Sequence, residues 1–362
     1  MIKIKREIYR NIGQGYPAYI IAEVGSNFDG DLERAKMLAK LAKEAGADAY
    51  KIQNFLAPKI VSQKGFDGLK VAFQSRWAKP VVEVYKKAEF PREWLKELSD
   101  YCKEIGIDFL SSPYDKEAVD LLEGIDIPAY KIGAGEIDNL DFLEYVAKKG
   151  KPVIISCGAT TMEEIGSAVT AVRNAGNNQI ILLQCVTNYP SPVEDANIKA
   201  MVSLKEKFGV DAGYSDHTIG FAQGGNDPLE GITVPLASVA LGACVIEKHF
   251  SDDIKRIGPD HPFAMPIGHF KKMVDSIRAL EKALGDGQKK VEPSEKETVI
   301  IQRRGIYAKE DIREGEIITK EKIEFLRPAL FLRPHQEKEV LGKKTGRVIM
   351  AGEPIKSDDI IR

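Results

Sequence analysis

The sequence lacks the features that mark several protein classes. Its four cysteines, Cys102, Cys157, Cys185 and Cys244, are widely spaced and form no C-x-x-C pair. That excludes a zinc ribbon and a disulfide framework, and suits small core residues in a reducing compartment. No apolar run is long enough to cross a bilayer, and Met1 opens a polar segment without the apolar centre of a signal peptide. A soluble, cytoplasmic protein is expected. A dominant charge is also missing: 52 Lys and Arg stand against 54 Asp and Glu, for a formal net charge of −2. With no global basic field, neither nucleic acid nor a membrane surface is expected as a partner. There is no low-complexity tract and no repeat beyond an alternation of strand and helix patterns.

What is present is a large apolar fraction, 43% of 362 residues. The chain is too long for one typical domain and suits a large α/β barrel followed by a small module. Eight short apolar runs read as strands: Ala18–Val24, Ala47–Gln53, Ile107–Ser112, Pro128–Ala134, Pro152–Cys157, Gln179–Cys185, Asp211–Asp216 and Ala243–His249. Amphipathic helical patterns lie between them. One runs from about Asp31 to Ala45 and stops at Gly46. Another follows Thr160 and Thr161 with the spacing of a capping box to Glu163 and Glu164, and a third spans Phe270–Leu284 before Gly285. Serial β-α units of this number predict a closed (β/α)8 TIM barrel over residues 1–285. Ile2–Tyr9 reads as an extra hairpin covering the N-terminal face of the barrel. Residues 286–302 are polar with Gly and Pro and read as a linker, and 303–362 as a small β-rich domain of short strands and turns.

In such barrels the catalytic groups stand at the C-terminal ends of the strands. Here those ends carry Glu23, then Lys51 and Gln53, then Ser111 and Ser112, then Lys131 and Glu136. The later strands add Ser156, then Gln184 and Thr187, then Ser215, Asp216 and His217, and finally Glu247, Lys248 and His249. Any one of these charges could simply pair with a neighbour. So many on one rim of an apolar barrel call for a charged ligand. Lys51 and Lys131, on non-adjacent strands, suit an anion with more than one charged end. Ser156 and Ser215 can donate to its oxygens, and Gly133 and Gly135 would let backbone N–H groups approach. His217 and His249 end neighbouring strands, about 4.8 Å apart, and could share one metal ion. Water, substrate or a carboxylate such as Asp260 or Glu247 would complete its shell. Imidazole with oxygen ligands suits Mn²⁺ or another divalent first-row ion such as Co²⁺, and Mg²⁺ less well.

The segments IAEVGSNFDGDLERAK, AGADAYKIQ, FLSSPYD, IPAYKIGAGEIDN, GKPVIISCG, NYPSPVEDAN, GYSDHTIG, VALGACVIEKHF and GPDH, in this order, resemble the sialic acid (N-acetylneuraminate) synthase family. RRGIYAKEDIREGEIIT, FLRP and LGKKTGR resemble the antifreeze-like SAF domain that ends those enzymes. The resemblance implies condensation of phosphoenolpyruvate with an N-acylated amino-sugar aldehyde to a nonulosonic acid. Phosphoenolpyruvate would be held by Lys51, Lys131, Ser156 and Ser215, and the metal by His217 and His249. Glu23 would contact the reacting sugar, with Gln53, Tyr189 and Asp260 on the sugar side and Thr187 beside them. Arg327 would reach into a neighbouring subunit of a domain-swapped homodimer. A Schiff-base aldolase using Lys51 or Lys131 and a non-catalytic sugar-binding protein are the alternatives.

Several positions depart from the family pattern. Asn27-Phe28-Asp29-Gly30 replaces NHNG, Ala134 stands where a serine is common, and Gln184-Cys185-Val186 replaces His-Cys-Thr. The loop 72–79 carries Arg76 and Trp77, an insertion occupies 221–231, and Ala329, Leu330, Phe331 and Leu332 replace a glycine-rich loop. All but Ala134 are expected on the sugar side, which points to an acceptor other than N-acetylmannosamine.

Overall fold

The computed structural model describes residues 2–4, 10–13, 15–69, 79–218 and 231–361. They divide into two compact units, 1–285 and 286–362.

In the first unit, β1 (Ile2–Ile4) and β2 (Arg10–Ile12) form an antiparallel pair. The expected hairpin therefore closes on Arg10–Ile12 and not within 2–9. The reason is that Ile12 stands opposite Ile2 and is buried with Ile2 and Ile4 in the barrel core. Next to β2, Gly13 lies against Asp211, the residue that opens a barrel strand, so the pair sits at the N-terminal end of the strands.

Eight parallel strands follow: β3 (Tyr19–Gly25), β4 (Ala49–Asn54), β5 (Asp108–Pro113), β6 (Tyr130–Ile132), β7 (Val153–Ser156), β8 (Ile180–Gln184), β9 (Asp211–Asp216) and β10 (Val245–Ser251). Each pairs with the next, and β10 pairs with both β9 and β3, closing the barrel. The strands are nearly continuous apolar runs because both faces are covered. Helix Leu32–Glu44 starts where Asp31 accepts from the Glu33 and Arg34 amides. Helix Met162–Asn174 has the expected capping box between Thr161 and Glu164. Helix Ile267–Leu284 begins one turn before the expected start and stops at Gly285, whose φ of 63° is one that glycine adopts without strain.

The second unit opens with a helix, Lys296–Gln302, within the stretch read as a linker. Its small core gathers Ile306, Ala308, Ile312, Ile318, Val340, Ile349 and Ile355. Of the changed loop, Leu332 joins this core and Ala329 is buried, whereas Leu330 and Phe331 are exposed, with Lys356 over the Phe331 ring.

Candidate active site

The C-terminal rim of the barrel gathers the polar strand ends into one buried cluster. Strand alternation points Lys51, Lys131, Ser156, Ser215, Glu247 and His249 inward. Glu247 is the hub. Its Oε1 accepts from Ser215 Oγ at 2.9 Å and lies 3.3 Å from Lys131 Nζ, while its Oε2 is 3.7 Å from Lys51 Nζ. Lys131 also donates to Ser156 Oγ at 2.8 Å, and Lys51 to Ser112 Oγ at 3.1 Å. Lys51 forms an ion pair with Glu23, whose other oxygen accepts from Gln53 Nε2 at 3.2 Å and from the Gly25 amide at 2.9 Å.

The electrostatics follow from burial. Desolvation alone would push the Glu247 carboxyl up, but Lys131 and Lys51 together outweigh it and hold it at about 2. The Glu23 carboxyl is raised: burial and the charge of Glu247 exceed the pull of Lys51. Desolvation also opposes charge on Lys51, but Glu23 and Glu247 overcome it and its pKa rises. For Lys131 burial wins, helped by the charge of Lys51, and its pKa falls. Two carboxyl groups and two lysines thus share a buried site in which an incoming anion would meet preplaced donors.

Beside this cluster His217 and His249 face each other, ring centroids 5.6 Å apart. His217 Nδ1 donates to the Val186 carbonyl at 2.8 Å, which leaves its Nε2 with a free lone pair. Burial pushes the His217 imidazole down to about 4, and burial with the charges of His217 and Lys51 pushes His249 well below its ordinary value. Both rings are therefore neutral at pH 7, the state a metal ligand needs. His249 Nδ1 is buried and has no hydrogen-bond partner among the described residues. Two neutral imidazoles, one held through its far nitrogen by a carbonyl and the other with an unsatisfied nitrogen, fit a divalent metal. Among the described residues no group of three His, Cys, Asp or Glu converges in ligand geometry. Glu247 is engaged by Ser215 and the lysines, and Asp260 Oδ2 accepts from the Ser26 amide at 2.7 Å and the Ser26 hydroxyl at 2.9 Å. Neither carboxylate therefore stands with the two imidazoles in ligand geometry among the described residues; water, substrate or a carboxylate would complete the shell.

Asp260 nevertheless reaches the site, over Gly25. A Cβ on Gly25 would overlap Asp260 Oδ2 and lie 3.3 Å from His249 Cε1. Tyr189 lies against His217, centroids 4.3 Å apart, and against Phe263 at 5.1 Å. Thr187 is exposed on the rim, and a Cβ on Gly158 would overlap its hydroxyl. Arg327 belongs to the second unit, exposed just after the strand Ile323–Leu326. The loop with Arg76 and Trp77 and the insertion 221–231 lie outside the described residues, apart from Lys79 and Gly231.

The Asn27–Gly30 departure turns out to serve packing. Phe28 is buried edge-on against Phe90 at 5.1 Å, and Asp29 accepts from Arg256 Nε at 2.7 Å and pairs with His261 Nε2 at 2.9 Å. Gln184 likewise turns away from the pocket, toward the Ala196 carbonyl at 3.4 Å.

Sequence reasoning missed two tyrosines. Tyr114 follows β5 and approaches Gly133, where a Cβ would be 3.1 Å from its hydroxyl; burial and Glu23 push its phenol up. Its place just past a strand end was a usable signal. Tyr85, on helix Val81–Ala88, packs on Phe55 at 5.6 Å, and burial and Asp260 raise its phenol. Nothing in the local pattern of that helix marks it.

Residues 38–289 match the sequence profile of the NeuB family, and residues 303–361 that of the SAF domain. The chain belongs to the NeuB family. It is 39% identical over 348 residues to an N,N'-diacetyllegionaminic acid synthase of Campylobacter jejuni, spanning 95% of this chain and 98% of that one. It is 37% identical over 347 residues to a pseudaminic acid synthase of Helicobacter pylori, spanning 96% and 98%. Among solved structures, the N-acetylneuraminic acid synthetase of Leptospira borgpetersenii aligns with a TM-score of 0.68 at 31% identity, covering 82% of this chain and 95% of that chain. This NeuB-family protein is an enzyme of the sialic acid synthase type, a (β/α)8 barrel joined to a SAF domain.

Proposed function

We propose that this enzyme condenses phosphoenolpyruvate with an N-acylated amino-sugar aldehyde, N-acetylmannosamine or a related hexose, giving a nonulosonic acid and phosphate. The observation that carries the reading is the buried pair of lysines, Lys51 and Lys131, bracketing Glu247 with Ser156 and Ser215 beside them. That set can bind a small polyanion and exclude water. In the proposed reaction C3 of phosphoenolpyruvate attacks the aldehyde carbon, whose oxygen gains a proton. Water adds at C2, the C2–O bond to phosphate breaks, and inorganic phosphate leaves. Lys51 and Lys131 hold the carboxylate and phosphate throughout. Glu23, whose pKa is raised by burial, would exchange a proton with the reacting carbons' oxygens. Gln53, Tyr189, Asp260 and Thr187 orient the sugar. His217 and His249 would hold a divalent metal, Mn²⁺ before Co²⁺ or Mg²⁺, which when bound polarises the sugar aldehyde.

The supporting relatives include both a legionaminic and a pseudaminic acid synthase, which favours a di-N-acylated deoxyhexose over N-acetylmannosamine. Arg327 would serve the sugar of a neighbouring subunit in a domain-swapped homodimer. Among the described residues no helix is long and apolar enough to cross a membrane.

One observation favours a second reading. Burial lowers the pKa of Lys131, which a Schiff-base lysine also needs. Borohydride treatment with pyruvate separates the two. Covalent, irreversible labelling of Lys131 would support the aldolase. Its absence, together with a product whose mass equals acceptor plus a pyruvyl unit made from phosphoenolpyruvate, supports the synthase.

A further inference from the structure

Behind the two histidines lies a second charged pair, which no step of the proposed reaction uses. Lys248 and Asp216 form an ion pair between β10 and β9, and the side chains are 3% and 0% exposed. They are direct register partners, Lys248 opposite Asp216. Each precedes a histidine: Asp216 stands before His217 and Lys248 before His249. Because side chains alternate along a strand, and Ser215, Glu247 and the histidines face the barrel interior, this pair faces the other way. On that side the helices Thr233–Ala240 and Ile267–Leu284 pack against β9 and β10. The helix-facing side of a parallel strand is ordinarily apolar.

A buried ion pair is weak evidence for stability, since apolar residues of similar volume often stabilise as well or better. What it supplies is direction. A register slip of β9 against β10 would pull the two charges apart in a dry interface. Asp216 does more: its Oδ1 accepts from the Thr218 amide at 2.9 Å, closing the chain just after His217. His217 is thereby held from both sides, by this turn and by the Val186 carbonyl on its Nδ1. Among the described residues His249 has no such hydrogen bond on its own Nδ1. Its placement falls to the strand, which pairs with β3 and β9 and is tied to β9 by the Lys248–Asp216 ion pair.

We propose that Lys248 and Asp216 are positioning residues which set the spacing of His217 and His249 from the back of the strands, and so govern metal affinity without touching the metal. The inference rests on the metal reading given above.

The test uses Mn²⁺ binding and stability, measured separately on the full chain. Replacing one partner alone would strand a buried charge, so the main variant is Asp216→Leu with Lys248→Met. Mn²⁺ affinity is read by titration calorimetry, and folding by urea denaturation of EDTA-treated protein. The expected result is a fold of near-unchanged stability whose Mn²⁺ dissociation constant rises about 10- to 100-fold. A second variant, Asp216→Asn with Lys248→Met, restores an acceptor for Thr218 and should recover part of that loss. It carries the test if the first does not fold. Wild-type Mn²⁺ affinity in either folded variant overturns the positioning role. If the unaltered protein shows no saturable Mn²⁺ binding, the metal reading itself fails, and this inference with it. The His217→Ala protein, which should bind no Mn²⁺, distinguishes that outcome from a failed titration.

Discussion

Lys131 Nζ stands 3.3 Å from Glu247 Oε1 inside the barrel mouth, and neither group has more than a trace of exposure. The contact makes Lys131 both a ligand for an anion and the main counter-charge of a buried carboxylate. Lys131→Met should therefore lose twice. It should raise KM for phosphoenolpyruvate at least tenfold, and it should cost about 3 kcal/mol of stability, because Glu247 is left without its strongest partner. Steady-state kinetics and urea unfolding on the same preparation check both. A normal KM would remove Lys131 from the anion site.

Gly25 separates Asp260 from His249. It has a φ of 55° and no room for a Cβ, which would overlap Asp260 Oδ2. Gly25→Ala should displace Asp260 and strain the backbone, costing about 1–3 kcal/mol. It should lower kcat more than it weakens phosphoenolpyruvate, whose lysines stand elsewhere. A KM effect alone would show that Asp260 does not serve the reacting sugar.

Metal-free protein should lose stability in mild acid. The His217 imidazole is held at about 4 when folded, chiefly by burial, against roughly 6.5 in an unfolded chain. Between those values the unfolded state binds the proton and the folded state does not. Stability is therefore full above pH 6.5 and falls as pH drops toward 4, by about 3 kcal/mol for this group. Glu247, held at about 2, adds its loss only below its unfolded value of about 4.3. Urea unfolding of EDTA-treated protein from pH 7 to 4.5 should show the decline, and His217→Gln should flatten part of it. A level profile in the wild type would mean that the imidazole is not held neutral by the fold.

Phe28 belongs to the rim by sequence and to the core by structure. Phe28→Ala should cost about 3–5 kcal/mol, the usual toll for a buried aromatic, and leave acceptor preference unchanged. A change of preferred sugar without loss of stability would return this position to the sugar side.

The barrel and the inward-facing residues were legible in the sequence for one reason. A parallel strand covered on both faces reads as apolar, so Glu23, Lys51, Lys131 and Glu247 stand out at its end. What could not be read was pairing across strands. Nothing in the sequence says that Glu247 would lie between both lysines, or that Lys248 and Asp216 would meet behind the histidines. The same limit hid Tyr85, whose phenol feels the charge of Asp260 from a helix that follows a different strand. It also misplaced the partner of β1, since the choice of Ile12 is made by burial against the barrel and not by the local run. For Phe28 the change from the family pattern was visible, but its direction, into the core beside Phe90, depends on tertiary packing alone.

The central claim is most directly tested by phosphate release from phosphoenolpyruvate in the presence of Mn²⁺ and a panel of N-acylated amino sugars. The prediction is release that requires one particular sugar, is abolished by EDTA and restored by excess Mn²⁺, and is lost in His217→Ala. Release that is independent of sugar and metal, or no release with any acceptor from protein that does not bind phosphoenolpyruvate, would contradict it.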